Sequence, residues 1–236
     1  MALPPGADAP ARVAVPTLAF DRCRGFGFLG QRRACLVGAV GGDFREDRDL
    51  EQLHLILGFP GLPYDDEDYY ALSMLSMLFG GGMSSRLFQE IREKRGLVYS
   101  IYTFASSYRD GGLLGIYAGT GPKEGAELVD AICGEIVRLP DSDFGDEILR
   151  ARKQLISATV MSLESTGARC DQLGQQTLAF GAPIPVDEQL RRIEAVDAAA
   201  LARVARRVFT GSPTVAAMGL VDTVPDYRSV ADRLGG

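Results

Sequence analysis

The densest run of chemically competent residues in this sequence lies between Phe79 and Tyr99, FGGGMSSRLFQEIREKRGLVY. It holds a glycine turn (Gly80, Gly81, Gly82), a hydroxyl pair (Ser84, Ser85), a charged helix and a tyrosine-bearing strand. Two of its side chains suit electrophilic support of a carbonyl group. Arg92 offers fixed-charge N–H donors, and Tyr99 offers an O–H donor with no formal charge. Aimed at a common spot, such donors stabilise an oxyanion developing on a peptide carbonyl. On residue type and spacing alone the plainer reading is favoured: Arg92 as a solvated helix charge and Tyr99 as a half-buried strand aromatic.

The glycine turn invites comparison with phosphate-binding loops, and the comparison fails. A Walker loop requires G-x-x-x-x-G-K-[ST], and a dinucleotide fingerprint requires G-x-G-x-x-G after a strand. Here the glycines follow a helical pattern, and no lysine is placed to meet a phosphate. Two readings remain. One is a helix stop that uses positive φ; the other is a side-chain-free surface that an extended peptide approaches closely.

The rest of the sequence narrows the chemistry. The one histidine, His54, lies in an apolar strand pattern and cannot build a His-based zinc hydrolase site alone. Cys23, Cys35, Cys133 and Cys170 show no CxxC or zinc-knuckle spacing. Cys133 and Cys170 read as small buried hydrophobes, and Cys23 with Cys35 is a pairing open only to an oxidising compartment. Met74, Met77 and Met83 read as core filling and turn packing, and Glu147 and Glu164 lack histidine partners for a metal. The sequence therefore predicts no metal bound by this chain. A net charge of −6 argues against nucleic acid or a membrane surface as partner. No apolar run approaches the ~20 residues of a membrane helix, and the first residues lack signal-peptide character. A cytoplasmic location is the resulting expectation.

These groups need elements to position them. Residues 1–40 are poorly patterned, with a Pro/Ala/Gly-rich start, and read as an N-terminal extension. Gln52–Phe59 is a short apolar run closed by Pro60-Gly61, a buried strand. Asp65 to Asp68 precede a helix carrying Tyr70, Met74, Met77 and Leu78, which the glycine run stops. Ser84 or Ser85 is placed to cap a helix over Arg86–Arg95 that ends at Gly96. Leu97–Phe104 and Leu113–Gly119 form a hairpin across Arg109-Asp110-Gly111-Gly112, with Tyr99 on the face of Leu97 and Ile101. Helices follow from Pro122 to Leu139, over Asp143–Glu164, Ala168–Phe180 and Asp197–Phe209. Thr214–Leu220 is a last strand, and residues 222–236 read as a polar tail. The order predicts an α+β domain over 41–221, with an antiparallel or mixed sheet covered by helices on one face.

The run LFGGGMSSRLFQEIREKRGLVYSIY resembles the carboxy-terminal homologous domain of the M16 (pitrilysin/insulinase, mitochondrial processing peptidase-like) metallopeptidases. The similarity extends through GGDFREDRDLEQLHLILGFPGLPYDDEDYYAL upstream and GGLLGIYAGTGP downstream, to about Val221. In that family two α+β domains face each other, and one carries a zinc motif, H-x-x-E-H. The other supplies an arginine and a tyrosine seven residues apart that contact substrate carbonyls. The resemblance implies those roles for Arg92 and Tyr99, and substrate recognition for Gly80, Gly81 and Gly82. H-x-x-E-H itself is absent here. The chain is thus expected to be a substrate-binding, catalytically incomplete half, inactive alone, with zinc held by an H-x-x-E-H partner and an extended peptide as substrate. An assembly subunit of the same fold and a truncated reading frame are the alternatives.

Overall fold

The computed structural model describes residues 41–235 of the chain. The reading of residues 1–40 and the Cys23–Cys35 pairing lie outside the described residues.

The first strand, β1 (Gly42–Asp47), was not legible in the sequence. It is short, polar and at a sheet edge, with Phe44 its one large apolar residue. What holds it is parallel pairing with the last strand, from Gly42↔Thr214 to Asp47↔Gly219. The Arg45 guanidinium adds bonds to the Val224 and Pro225 carbonyl oxygens.

Strand β2 (Leu53–Gly61) alternates as a half-covered strand must. Leu53, Leu55, Leu57 and Phe59 are fully buried on one side, while His54 and Ile56 point to the other. The strand runs through Pro60 to Gly61 instead of closing there. Pairing with the last strand ends at Gly58, so Pro60 sits where β2 has a single neighbour and a missing N–H costs little.

Helix α1 (Tyr69–Gly80) leads to a helical turn over Phe88–Glu93. Strands β3 (Val98–Ser107) and β4 (Gly112–Thr120) then form the expected hairpin. Five helices follow: α2 (Gly125–Arg138), α3 (Gly145–Ser162), α4 (Thr166–Phe180), α5 (Val186–Glu194) and α6 (Ala198–Phe209). Strand β5 (Thr214–Gly219) and helix α7 (Tyr227–Arg233) end the description. Neither α5 nor α7 was anticipated, because both are short and largely polar. α5 is held by the buried Gln189 and Ile193, and α7 by Val230. Of the two helix cysteines expected to be buried, Cys133 of α2 is, whereas Cys170 of α4 is exposed. The segment read as a polar extension thus contains a packed helix, tied by Arg233 to Asp130 at 2.9 Å.

The sheet order is β1-β5-β2-β4-β3, antiparallel except for the β1–β5 pair. This is the mixed sheet of an α+β domain. Helices cover the face bearing Leu53, Leu55, Leu57 and Phe59. Phe209 of α6 meets Phe59 edge-on at 4.8 Å and Phe79 of α1 at 6.0 Å, joining sheet and helices in one core. Among the described residues, no helix is long and apolar enough to cross a membrane.

Candidate substrate-contact site

The three glycines separate on inspection. None has positive φ, so the helix-stop reading on that ground is corrected. Gly80 is needed for close approach instead: a Cβ there would lie 2.6 Å from the Thr103 backbone nitrogen. Thr103 locks the contact by donating its hydroxyl to the Ser76 carbonyl at 2.6 Å. The end of α1 is thereby pressed onto β3. Gly81 and Gly82 are exposed, and a Cβ on Gly82 would meet nothing within 4 Å. Met83 beside them is 75% exposed, so it does not pack the turn as expected.

The serine caps are not made. Helix entry carries no side-chain cap, and the buried Ser85 hydroxyl has no partner among the described residues. Another device fastens this helix. Arg86 binds Glu147 and donates to the Ser142 hydroxyl at 2.6 Å, clamping the turn to the start of α3. Sequence spacing gave no signal for that pair, which is 61 residues apart.

The helix widens into a π turn over Phe88–Glu93, where the Lys94 N–H reaches back five residues to the Gln89 carbonyl at 3.0 Å. Such insertions are frequent at functional positions. Leu87 and Ile91 face the core. Arg92 faces outward with its guanidinium carbon 4.7 Å above the Phe88 ring, a cation–π contact that holds the side chain. Phe88 was missed from sequence, although its position four residues before Arg92 was the available signal.

Gly96 (φ +65°) then reverses the chain, its N–H bonded to the Arg92 carbonyl and the Leu97 N–H to that of Ile91. At the start of β3 the register slips: Val98 pairs with Thr120 but Ser100 with Gly119. Tyr99 is the extra residue of a bulge. Its expected place on the face of Leu97 and Ile101 is therefore corrected. Val98 and Ile101 turn inward, and Tyr99 is pushed out to 61% exposure. A groove of about 280 Å³ opens beside it, lined by Gly96, Leu97, Val98, Gly121, Pro122 and Lys123.

Arg92 and Tyr99 thus stand exposed on either side of one turn, each on an irregular piece of backbone. A permanent cation and a phenolic O–H there are two donors for carbonyl oxygens. His54 is elsewhere, on the uncovered sheet face, with Nδ1 2.8 Å from the Tyr117 hydroxyl oxygen. Among the described residues no group of three or more His, Cys, Asp or Glu is arranged to hold a metal. These donors do not fit a zinc ion.

Residues 40–156 match the family described as "Peptidase M16 inactive domain". The chain belongs to the M16 peptidase family. It is 42% identical over 173 residues to an uncharacterized zinc protease of Streptomyces coelicolor, covering 73% of this chain and 38% of that protein. It is 31% identical over 209 residues to the mitochondrial-processing peptidase subunit alpha of Solanum tuberosum, covering 82% and 42%. An uncharacterized zinc protease of Rickettsia felis is 38% identical over 181 residues, covering 76% and 44%. The chain therefore spans about two fifths of the length of these relatives. In fold it resembles a chain of complex III2 from Candida albicans, with TM-score 0.73 at 18% identity, over 84% of this chain and 49% of that one.

Proposed function

We propose that this M16 half binds an extended peptide and presents Arg92 and Tyr99 to its carbonyl groups, while an H-x-x-E-H-bearing M16 subunit or domain supplies the zinc and the hydrolytic water. The observation that carries this reading is the paired irregularity. A π turn and a β-bulge each cost regular hydrogen bonding, and they fall at Arg92 and at Tyr99, turning both side chains to solvent. A purely structural corner has no use for either. The guanidinium, braced on Phe88, takes one carbonyl oxygen, and the phenol donates to another or to the same oxygen as charge develops on it. The exposed Gly81 and Gly82 leave room for peptide backbone beside them. The match to an inactive M16 domain and the zinc protease names of its relatives support the division of labour.

The test is peptide hydrolysis with added zinc, by the purified chain alone and after mixing with a candidate H-x-x-E-H protein. Activity only in the mixture, lost on chelation and lowered by Arg92→Ala and Tyr99→Phe, is the expected result. Unchanged activity in both variants sinks the assignment. A stable but inactive complex would favour an assembly subunit, a reading to which the likeness to a complex III2 chain lends support.

A further inference from the structure

Helix α4 buries none of its 15 residues. Its inner side, Gln172, Gln175, Gln176 and Phe180, meets a cavity of about 180 Å³ instead of core. Ser73 of α1, Leu155 of α3 and Ile193 of α5 line the other sides. A helix with two glycines and nothing buried is marginal in water unless something packs beneath it.

The chamber is aromatic and uncharged. Phe180, Tyr64, Tyr69 and Tyr70 form a bent wall, with successive ring centroids 6.2, 5.5 and 5.0 Å apart. Burial, with the neighbouring Tyr64 and Tyr70, pushes the Tyr69 phenol up to about 12, so it stays neutral. The carboxamides are occupied with one another and with backbone. Gln172 donates to Gln189 at 3.1 Å, Gln189 to the Ile184 carbonyl at 2.8 Å, and the Ile184 N–H to Gln176 at 2.9 Å. A protein cavity of about 150 Å³ is already enough to hold a benzene ring. The same four rings also line an open cleft of about 530 Å³, and that cleft is charged. On α5, Arg191 and Arg192 share one carboxylate, Glu188, so two cations face one anion. Before α1, Asp66 and Asp68 are taken by Arg207 and Arg203, whereas Asp65 and Glu67 are exposed and form no ion pair among the described residues.

An excess of positive charge from one element and of negative charge from another, beside an aromatic chamber, fits a ligand of both signs. We propose that this cleft binds a zwitterionic aromatic amino acid, its ring in the chamber under α4. The α-carboxylate lies towards Arg191 and Arg192, and the α-ammonium towards Asp65 and Glu67. Burial of the ring supplies most of the affinity. The exposed charges mainly select, and dissociation falls in the millimolar range. The site uses neither Arg92 nor Tyr99, so it stands or falls apart from the proposed proteolytic role.

A ligand-observed NMR titration of the full chain with L-phenylalanine tests this, with neither peptide nor H-x-x-E-H protein present. Three capped forms are compared: L-phenylalaninamide lacks the carboxylate, N-acetyl-L-phenylalanine the ammonium, and N-acetyl-L-phenylalaninamide both. The free amino acid should bind tightest, and each single cap should weaken binding about two- to fivefold. Asp65→Asn with Glu67→Gln should erase the cost of the acetyl cap and keep that of the amide cap. Arg191→Gln with Arg192→Gln should do the reverse. All four positions are exposed, so these variants fold. Ser73→Leu, which fills the chamber from α1, should abolish binding of every form. No binding of L-phenylalanine overturns the proposal, as does equal affinity for all four forms, which would leave only an apolar cavity. Tightest binding of the amide would make it a cation site and overturn it too. So would binding that survives in a folded Ser73→Leu chain.

Discussion

The two ends of the stretch from Phe79 to Tyr99 meet β3 in opposite ways. At Gly80 the contact is closed: the helix end touches strand backbone, and Thr103 bonds across to α1. At Tyr99 the contact is opened, since a bulge breaks the alternation and ejects the side chain that a regular strand would turn inward. One sequence motif therefore contains a packed joint and an exposed surface. Gly80, Leu87 and Ile91 build the joint, while Gly82, Arg92 and Tyr99 are what it holds out.

The largest expected effect separates these two sets directly. Arg92→Ala and Tyr99→Phe should each lower reconstituted peptide hydrolysis by about 10²- to 10³-fold, the loss of one donor to a developing oxyanion. Thermal unfolding of the chain should be unchanged, because neither side chain is buried. A fall in melting temperature with activity retained would place both residues in the joint and break the comparison. Gly80→Ala should behave in the reverse sense. Overpacking against Thr103 backbone costs about 1–3 kcal/mol, a melting shift of about 2–4 °C per kcal/mol. Gly82→Ala, with open space around it, should leave stability as it was. Calorimetry on the two glycine variants tests this pair together; equal shifts would dissolve the distinction.

A smaller effect sharpens the presentation side. Phe88→Leu removes the ring beneath Arg92 while keeping apolar bulk. Losing a partly exposed cation–π contact of about 0.5–1 kcal/mol should cost about two- to fivefold in reconstituted activity. The loss should vanish in an Arg92→Ala background, since the ring acts through the guanidinium. A loss that persists there would show that Phe88 contacts substrate itself.

How much of this was legible depended on whether the signal was local. Leu53, Leu55, Leu57 and Phe59 announce β2, and the hairpin chemistry of Arg109 to Gly112 announces β3 and β4. Helices α2, α3 and α6 carry plain apolar periodicity. Strand β1 was hidden because its stability comes from β5, which lies far along the chain. The clamp from Arg86 to Glu147 is likewise long-range. Arg92 and Tyr99 entered through family resemblance, since their types and spacing favoured a plainer reading. Their present form rests on a π turn and a bulge, and neither has a composition signature: both arise when Leu87, Ile91, Val98 and Ile101 must all reach the core across one tight reversal. Gly80 was noticed for the wrong property, conformational freedom, when the determining one is the absence of a Cβ.

The other end of α1 supplies the finest test, because a closed joint at Gly80 needs a helix anchored at its start. Asp66 and Asp68, just before α1, are gripped from α6. Arg207 bonds Asp66 at 2.7 and 3.0 Å, and Arg203 bonds Asp68. Burial pushes the Asp66 carboxyl up, but the Arg207 bond and the Asp68 amide N–H outweigh it and leave its pKa below the usual value. A carboxyl depressed on folding contributes stability that is complete above the unfolded pKa, about 3.9, and is lost as pH falls through the lower folded value. Arg207 is half exposed, so solvent screening limits the contribution to about 1 kcal/mol or less. Asp66→Asn should therefore melt slightly below the parent chain at pH 7, and the gap should close as the pH is taken below about 4. If the gap persists in acid, the amide has disturbed packing, not charge. The Asp66–Arg207 arm of the latch then gives no electrostatic hold on α1, and the start of the helix is held by the Asp68–Arg203 pair and by apolar packing.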